Sequence, residues 1–446
     1  MHNRFLTEGS VRKSILLFAL PILFGNLFQQ LYNTFDSWVV GHYLGEIPLA
    51  AVSSSSNLIF LLVGFFNGMS MGAGVVIARH YGAQNKDALN KCIHTTVALG
   101  LTAGIALTIA GVAFTPAILR WMDTPSDVLP QSILYFRLYF WGAVFVVMYN
   151  ISVGILHALG DSRHPLYYLI FSTCVNIVLD LVLVGGFGFG VGAAALATTI
   201  SQGISALLCC IRLLRIQEEY RLVPGQIRFH PSHLREIIQI GLPSGIQNSM
   251  ISIANVVVQT CINGFGAAAV AGCGSYSKLE GFAFLPVVSF SQALATFVGQ
   301  NMGAKQYCRV KQGVRYATGC CLTMAELIGI TAYIFAPQLI GFFNDSPSVL
   351  DYGVRHMRSI CLFYFLMSFS HCMAGMFRGF GKATVPMITM LICWCVIRIT
   401  YISIALPHWP QLETVSRAYP ITWLLSSIVF LICYKTMTLI PKNAAP

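Results

Sequence analysis

The sequence predicts an all-α polytopic membrane protein, with twelve transmembrane helices forming two six-helix lobes related by pseudo-two-fold symmetry along the membrane normal. Three observations lead there. Of 446 residues, 56% are hydrophobic and only 10% charged, against roughly 25% charged residues in an ordinary soluble domain. The apolar residues gather into runs of the length a bilayer requires, about 20 residues. Finally, the chain repeats itself: Arg79-His80-Tyr81-Gly82-Ala83-Gln84 returns 221 residues later as Gln300-Asn301-Met302-Gly303-Ala304-Lys305. The same shift carries Gly45 onto Gly266, Leu58 onto Leu279, Gly154 onto Gly375, Gly160 onto Gly381 and Pro165 onto Pro386. A constant offset of this kind marks an internal duplication, and duplicated membrane modules usually build a cavity that opens alternately to either side.

The first span is expected at 14–40. It follows Arg4, Arg12 and Lys13 as a signal peptide would, but its apolar stretch is too long and lacks a small-residue cleavage site, so it reads as a retained helix. Spans at 48–78, 90–119, 129–156, 165–186 and 190–214 complete the first copy. The second copy gives 236–263, 267–299, 311–340, 350–377, 384–406 and 417–438. Ile216 to Glu236 is the long polar stretch between them, with Gln217-Glu218-Glu219 and Pro224-Gly225. The expected organisation is therefore an N-terminal lobe 1–215, a linker 216–235 and a C-terminal lobe 236–446.

Orientation follows from the basic residues. With the N-terminus inside, most of the 27 Lys and Arg fall in cytoplasmic segments, while the outer loops hold only Arg120, Arg355 and Arg417; this is a strong positive-inside bias. Both termini are thus expected in the cytoplasm, in a multi-pass protein of the plasma membrane. Six spans per copy give the copies the same orientation.

Several classes are excluded. The basic residues sit in short gaps between apolar runs and form no patch with interleaved aromatics, so no nucleic-acid partner is expected. Most of the fourteen Cys lie within apolar runs, where Cys behaves as a small hydrophobe. No CxxC pair exists, and neither Cys nor His spacing matches a zinc site, so no metal or other cofactor is expected. Gly68-Met69-Ser70-Met71-Gly72 lies inside a helix, without the strand-turn-helix context of a nucleotide loop. Clustered catalytic residues are absent, so the chain does not read as an enzyme.

Of sixteen acidic residues, Asp36, Asp180, Glu280 and Glu326 fall within spans. A carboxylate near the bilayer centre costs about 3 kcal/mol on insertion scales, which makes each a functional candidate. Asn26, Gln29, Asn33 and Asp36 recur at helical spacing, with Tyr32 one turn before Asp36. Asn176 and Asp180 share a face of the fifth span, and Asn150 and Thr198 could add neutral oxygens. Such a set suits a proton or Na+, although the acids could also merely staple helices. Glu280 is a candidate for lining a substrate cavity or for pairing with Lys278, and Glu326 reads as a packing or helix-end residue. Arg358 and Arg398 could pair with an acid or snorkel; His371 could titrate or satisfy a neighbour. Pro21 and Pro243 occupy similar places near the start of each copy, where a missing backbone donor favours a bend, a hinge or a static kink. The 30 Phe and 15 Met would suit a deformable apolar cavity.

Leu20-Pro21 through Gln30 with Asp36, Gly82-Ala83 with Gly303-Ala304, Asn150 through Gly160-Asp161, and Asn176 with Asp180 together resemble the multidrug and toxic compound extrusion (MATE) transporters, nearer the DinF-like and MepA-like bacterial members than the NorM type. The resemblance spans essentially the whole chain. It implies two six-helix lobes around a central cavity and export of organic cations in exchange for H+ or Na+ by a monomer in the lipid bilayer. It places the ion site at Asp36, Asn176 and Asp180, with Tyr32, Asn150 and Thr198 around it. Gln29, Asn33, Glu280, Arg398 and His371 are the expected substrate-cavity residues, and Pro21 and Pro243 the expected hinges. NorM-type members carry acids on helices 7 and 10, which this sequence lacks. The alternatives are a lipid-linked precursor flippase of related architecture, whose cavity would be rich in Arg and Lys, a membrane-embedded enzyme, and a passive channel.

Overall fold

The computed structural model describes residues 6–122 and 124–440, apart from the side chains at 46, 49, 50, 53–58 and 60. Arg4 and both chain ends lie outside the described residues, and with them the expected placement of the termini. Every expected span is helical. The first copy contains α1 (Val11–Leu44), α2 (Glu46–Gly82), α3 (Lys86–Trp121), α4 (Leu129–Trp141), α5 (Ala143–Ala158), α6 (Arg163–Asp180) with a π-helical continuation Leu181–Gly186, and α7 (Val191–Leu214). The second contains α8 (Pro231–Asn263), α9 (Ala267–Ala283), α10 (Leu285–Gly303), α11 (Tyr307–Ile334), α12 (Ala336–Gly341), α13 (Pro347–Ile360), α14 (Tyr364–Gly379), α15 (Thr384–Met390), a π-helical stretch Leu391–Ile397, α16 (Arg398–His408) and α17 (Leu412–Thr436).

Among the described residues, ten helices are long and apolar enough to cross a membrane, or up to 11 when α4 and α5, bent by 45° at Gly142, count as one span. The expected span at 236–263 is helical but does not meet that standard of apolarity, because Gln247, Asn248, Asn255 and Gln259 interrupt α8. Polar residues on a membrane helix must find protein partners, and Gln247 does so through Met390, 2.8 Å from its Nε2.

The chain forms two compact units, the first Phe24–Gly245 and the second Leu6–Leu23 with Ile246–Pro446. These boundaries differ from the expected lobes 1–215 and 236–446. The start of α1 belongs to the second unit, where Ile15, Phe18, Ala19 and Ile22 join a core with Phe290 and Phe297. The linker and the start of α8 belong to the first. Val223 N–H donates to His94 Nε2 at 3.0 Å, and Asn90 Nδ2 donates to Glu219 O at 3.0 Å, so the linker is strapped to α3. Pro21 and Pro243 each lie two residues before the point where their helix passes from one unit to the other.

In the first unit, Gly68 and Gly72 of α2 face Gly241 and Ser244 of α8; a Cβ on Gly72 would stand 2.3 Å from Gly241 Cα. Only small residues allow backbones so close, which accounts for the glycine-rich stretch of α2. A separate core gathers Val39, Val40, Tyr135, Phe136 and Phe140. The second unit has the richer aromatic core, in which Trp394, Trp423, Phe377 and Phe430 are buried.

The duplication is visible in the backbone. Gln84 and Lys305, 221 residues apart, are the two non-glycine residues with positive φ among those described, at 54° and 57°. Each ends its helix in the same turn: Asn85 N–H donates to His80 O, and Gln306 N–H to Asn301 O. This is the Schellman arrangement, with a left-handed residue after the last helical turn. Gly160 and Gly381 repeat it, with Asp161 N–H donating to Leu156 O and Lys382 N–H to Phe377 O. Ser70 Oγ donates to Asn150 O, and its repeat partner Ser291 Oγ donates to His371 O.

Candidate ion site in the first unit and its counterpart in the second

Three helices of the first unit, α1, α6 and α7, bring their polar residues together. Asp36 is 7% exposed, Tyr32 6%, Thr198 6%, and Asn176 and Asp180 are fully covered. Asn176 and Asp180 share a face because they are four residues apart on α6. Asp180 closes the α-helical part of α6 before the chain widens into the π-helical turn at Leu181, a feature common at functional sites. The Asp36 and Asp180 carboxyls lie close enough to interact, as do Tyr32 and Thr198. Yet Asp36 Oδ1, both oxygens of Asp180, both terminal atoms of Asn176, Tyr32 Oη and Thr198 Oγ1 are buried with no hydrogen bond of normal length.

Buried polar groups nearly always have partners, so a concentration of orphans calls for an explanation. A stapling role for the acids, by hydrogen bonds to Asn or Tyr, does not match it. The donor set of two carboxyls with amide and hydroxyl oxygens fits a hard monovalent cation or a shared proton.

Two tyrosines belong to this site that sequence reading overlooked. Tyr135 and Tyr139 of α4, with rings 6.5 Å apart, lie near Asp36. Their i,i+4 spacing was the available signal. Thr173, with an unpartnered buried Oγ1 one turn before Asn176, is a further addition. Asn150 is held on its own helix, its Nδ2 donating to Val146 O at 2.8 Å. Gln29 and Asn33 are half-buried, and Asn33 O accepts from Ser37 Oγ at 3.0 Å.

The second unit replaces this set. Under the repeat shift Asp36 becomes Val257, Asn176 Ile397, Asp180 Tyr401, Thr198 Tyr419 and Tyr135 His356. Its charges within the spans include the half-buried Glu280 and the buried Arg378 and Arg398. Tyr276 Oη donates to Glu280 Oε1 at 2.8 Å and lies 3.2 Å from Tyr364 Oη. Lys278 does not pair with Glu280; its Nζ lies over the Phe343 ring at 5.5 Å. Arg398, 2% exposed, directly follows the π-helical stretch of this unit. Nη2 of Arg398 donates to Thr422 Oγ1 at 3.2 Å, and its guanidinium covers the Tyr419 ring at 4.4 Å.

His371 packs edge-on against Phe284 and Trp394, the latter also under Arg398. His356 meets Ser416 Oγ at 2.7 Å and sets its ring against Tyr276. Extending the repeat shift from the acids to every residue around them would have found His356 and Tyr419. Arg358 donates to Tyr333 O and covers that ring, which selects the snorkelling alternative. Glu326 accepts the Phe365 N–H at the start of α14, a helix-end role. Arg378, counted in the sequence among basic residues of the polar gaps, is instead buried in the last turn of α14, donating to Ser291 Oγ.

Two duplicated bundles of membrane-spanning helices, one holding unpartnered acids, are the architecture of a membrane transporter. The chain belongs to the MatE family, whose model matches residues 21–182 and again 243–403, two matches that reproduce the internal repeat. It is 28% identical to the probable multidrug resistance protein YoeA of Bacillus subtilis over 91% of this chain and 89% of that protein. It is 27% identical to the probable multidrug resistance protein NorM of Thermotoga maritima, over 86% and 83%. A crystal structure of a MATE protein in a bent conformation superposes with a TM-score of 0.92 at 24% identity, covering 99% of this chain and 98% of that one. The protein is thus a multi-pass membrane transporter and not an enzyme.

Proposed function

We propose that the protein is an ion-coupled antiporter that exports amphipathic, mostly cationic organic compounds by alternating access, acting as a monomer in the plasma membrane with both termini in the cytoplasm. The observation that carries this reading is the buried Asp36–Asp180 pair, in which Asp36 Oδ1 and both Asp180 oxygens lack partners alongside the polar atoms of Asn176, Tyr32 and Thr198. Such a group gains most from H+ or Na+, and loses it when the ion leaves. The multidrug names of the relatives support the substrate class.

The carboxyl pair takes up the driving ion. Protonation or Na+ binding there bends α1 about Pro21, with Pro243 as its counterpart on α8. Glu280, Arg398, His371, Gln29 and Asn33 serve the substrate, Glu280 by attracting positive charge. Dye efflux from proteoliposomes under separately imposed pH and Na+ gradients tests the reading. Asp36→Asn should still insert but lose gradient-driven efflux; full efflux by this variant would reduce Asp36 to a staple. Preference for anionic lipid-linked sugars over quaternary ammonium dyes would favour the flippase, the reading to which the buried Arg398 lends support.

A further inference from the structure

A second cluster of ligating side chains lies in the first unit, where the linker and the start of α8 meet α2 and α3. His80, in the last turn of α2, Cys92, near the start of α3, and His233, in the first turn of α8, each offer a ligand atom within 4.8 Å of the other two. The two imidazole rings stand 5.6 Å apart and perpendicular. Cys92 is fully covered, and His233 Nδ1 is buried without a hydrogen-bond partner. Glu236, one turn beyond His233, puts Oε2 3.3 Å from His80 Nε2.

Sequence spacing hides this group, because its members come from three helices. Nearby His94 is not part of it: its Nδ1 meets Asn90 O and its Nε2 accepts from Val223 N–H.

We propose that His80, Cys92 and His233 form a binding site for a zinc-class divalent cation, with Glu236, paired to His80, adjoining it. Two imidazoles and a thiolate are donor types that Zn2+ takes, in tetrahedral geometry with a water or a nearby carboxylate in the fourth position. In that geometry, bonds of about 2.0–2.3 Å leave neighbouring ligand atoms roughly 3.3–3.8 Å apart. The three ligand atoms, within 4.8 Å of one another, stand at most about 1 Å outside that spacing, a gap that side-chain rotation on binding would have to close. The bound ion would tie the first turn of α8, ahead of Pro243, to the end of α2 and the start of α3. The repeat does not reproduce this set: the repeat positions of His80, Cys92 and His233 are Asn301, Gly313 and Arg12. There the chain entering α1 is tied by Arg309 instead, donating to Leu6 O, Glu8 O and Gly9 O.

The test uses the full chain, purified in detergent, stripped with a chelator and titrated with Zn2+ alone, then with Co2+ for its absorption spectrum. One equivalent of Zn2+ should bind, and the Co2+ form should show a thiolate charge-transfer band that Cys92→Ser removes. His233→Ala should weaken Zn2+ binding at least about 100-fold, since even outer-shell partners of a metal are worth 10–100-fold. His233 is only half-buried, so this variant carries the test if Cys92→Ser fails to fold. Cys308→Ser, at an exposed site of the second unit, should change nothing. Failure of the wild-type protein to bind Zn2+, or binding unaffected by His233→Ala, overturns the proposal.

Discussion

The two units share their backbone punctuation and differ in what their interiors do with charge. Both close α-helices on left-handed residues at Gln84 and Lys305, and both tie one helix to another through Ser70 and Ser291. Yet the first unit buries two acids of which Asp36 Oδ1 and both Asp180 oxygens have no partners, while in the second the half-buried Glu280 accepts from Tyr276 and the buried Arg398 donates to Thr422 through Nη2, its Nε being unpartnered. Turns and close contacts set where helices run, so either copy needs them. Interior polar groups are tolerated only if satisfied or if something transient satisfies them. The difference is the basis for the proposed division of labour, an ion site in the first unit and substrate contacts in the second.

The largest effect expected from this contrast is functional. Asp180→Asn should abolish ion-driven efflux as completely as Asp36→Asn, because the two carboxyls act as one unit, and the double variant should be no worse than either. Glu280→Gln should retain ion binding or proton release while changing substrate preference. In one-for-one exchange a tenfold ion gradient, about 1.4 kcal/mol, supports at most a tenfold substrate gradient, which the acid variants should flatten. Proton release measured on detergent-solubilised protein decides the matter: loss with Glu280→Gln and retention with Asp36→Asn would reverse the assignment of the two units.

A smaller but measurable effect is structural. Gly72→Ala places a Cβ 2.3 Å from Gly241 Cα, and overpacking of this kind costs about 1–3 kcal/mol. The repeat partner of Gly72 is Ala293, which carries a Cβ within a fully covered stretch of α10. Ala293→Gly should therefore cost only about 1 kcal/mol, the helix penalty for glycine. Thermal unfolding in detergent compares them, and a neutral Gly72→Ala would mean that the α2–α8 approach is looser than the backbone positions require.

Much of this was legible in the sequence. The constant shift located both copies, and helical spacing grouped Asn33 with Asp36 and Asn176 with Asp180, because a repeat and a helical period are one-dimensional signals. The crossing of α1 and α8 between units was not legible, since it depends on which apolar surface covers Ile15 and Phe18 and which glycine meets Gly241. Nor was the partnering of Glu280 by Tyr276, although the two are four residues apart: an i,i+4 pair predicts proximity, whereas Lys278 competed on charge alone. The His80, Cys92 and His233 cluster was invisible for a similar reason, since spacing rules recognise sites formed by one segment and this one draws on three.

The smallest effect concerns the hydrogen bond that both units retain. Ser70 Oγ donates to Asn150 O and Ser291 Oγ to His371 O, but Ser291 Oγ also accepts from the buried Arg378 Nη2 at 3.2 Å. The repeat partner of Arg378 is His157. Ser70→Ala removes one neutral hydrogen bond, for about 1 kcal/mol. Ser291→Ala removes the equivalent bond and also strips a partner from a buried guanidinium, so its cost should rise to about 2–3 kcal/mol. In an Arg378→His background, which restores the first unit's residue, Ser291→Ala should fall back to about 1 kcal/mol. Equal costs for the two serines in the wild-type background would show that Arg378 draws its support from elsewhere in α14 and its neighbours, and that the two units are more alike at this contact than their charges suggest.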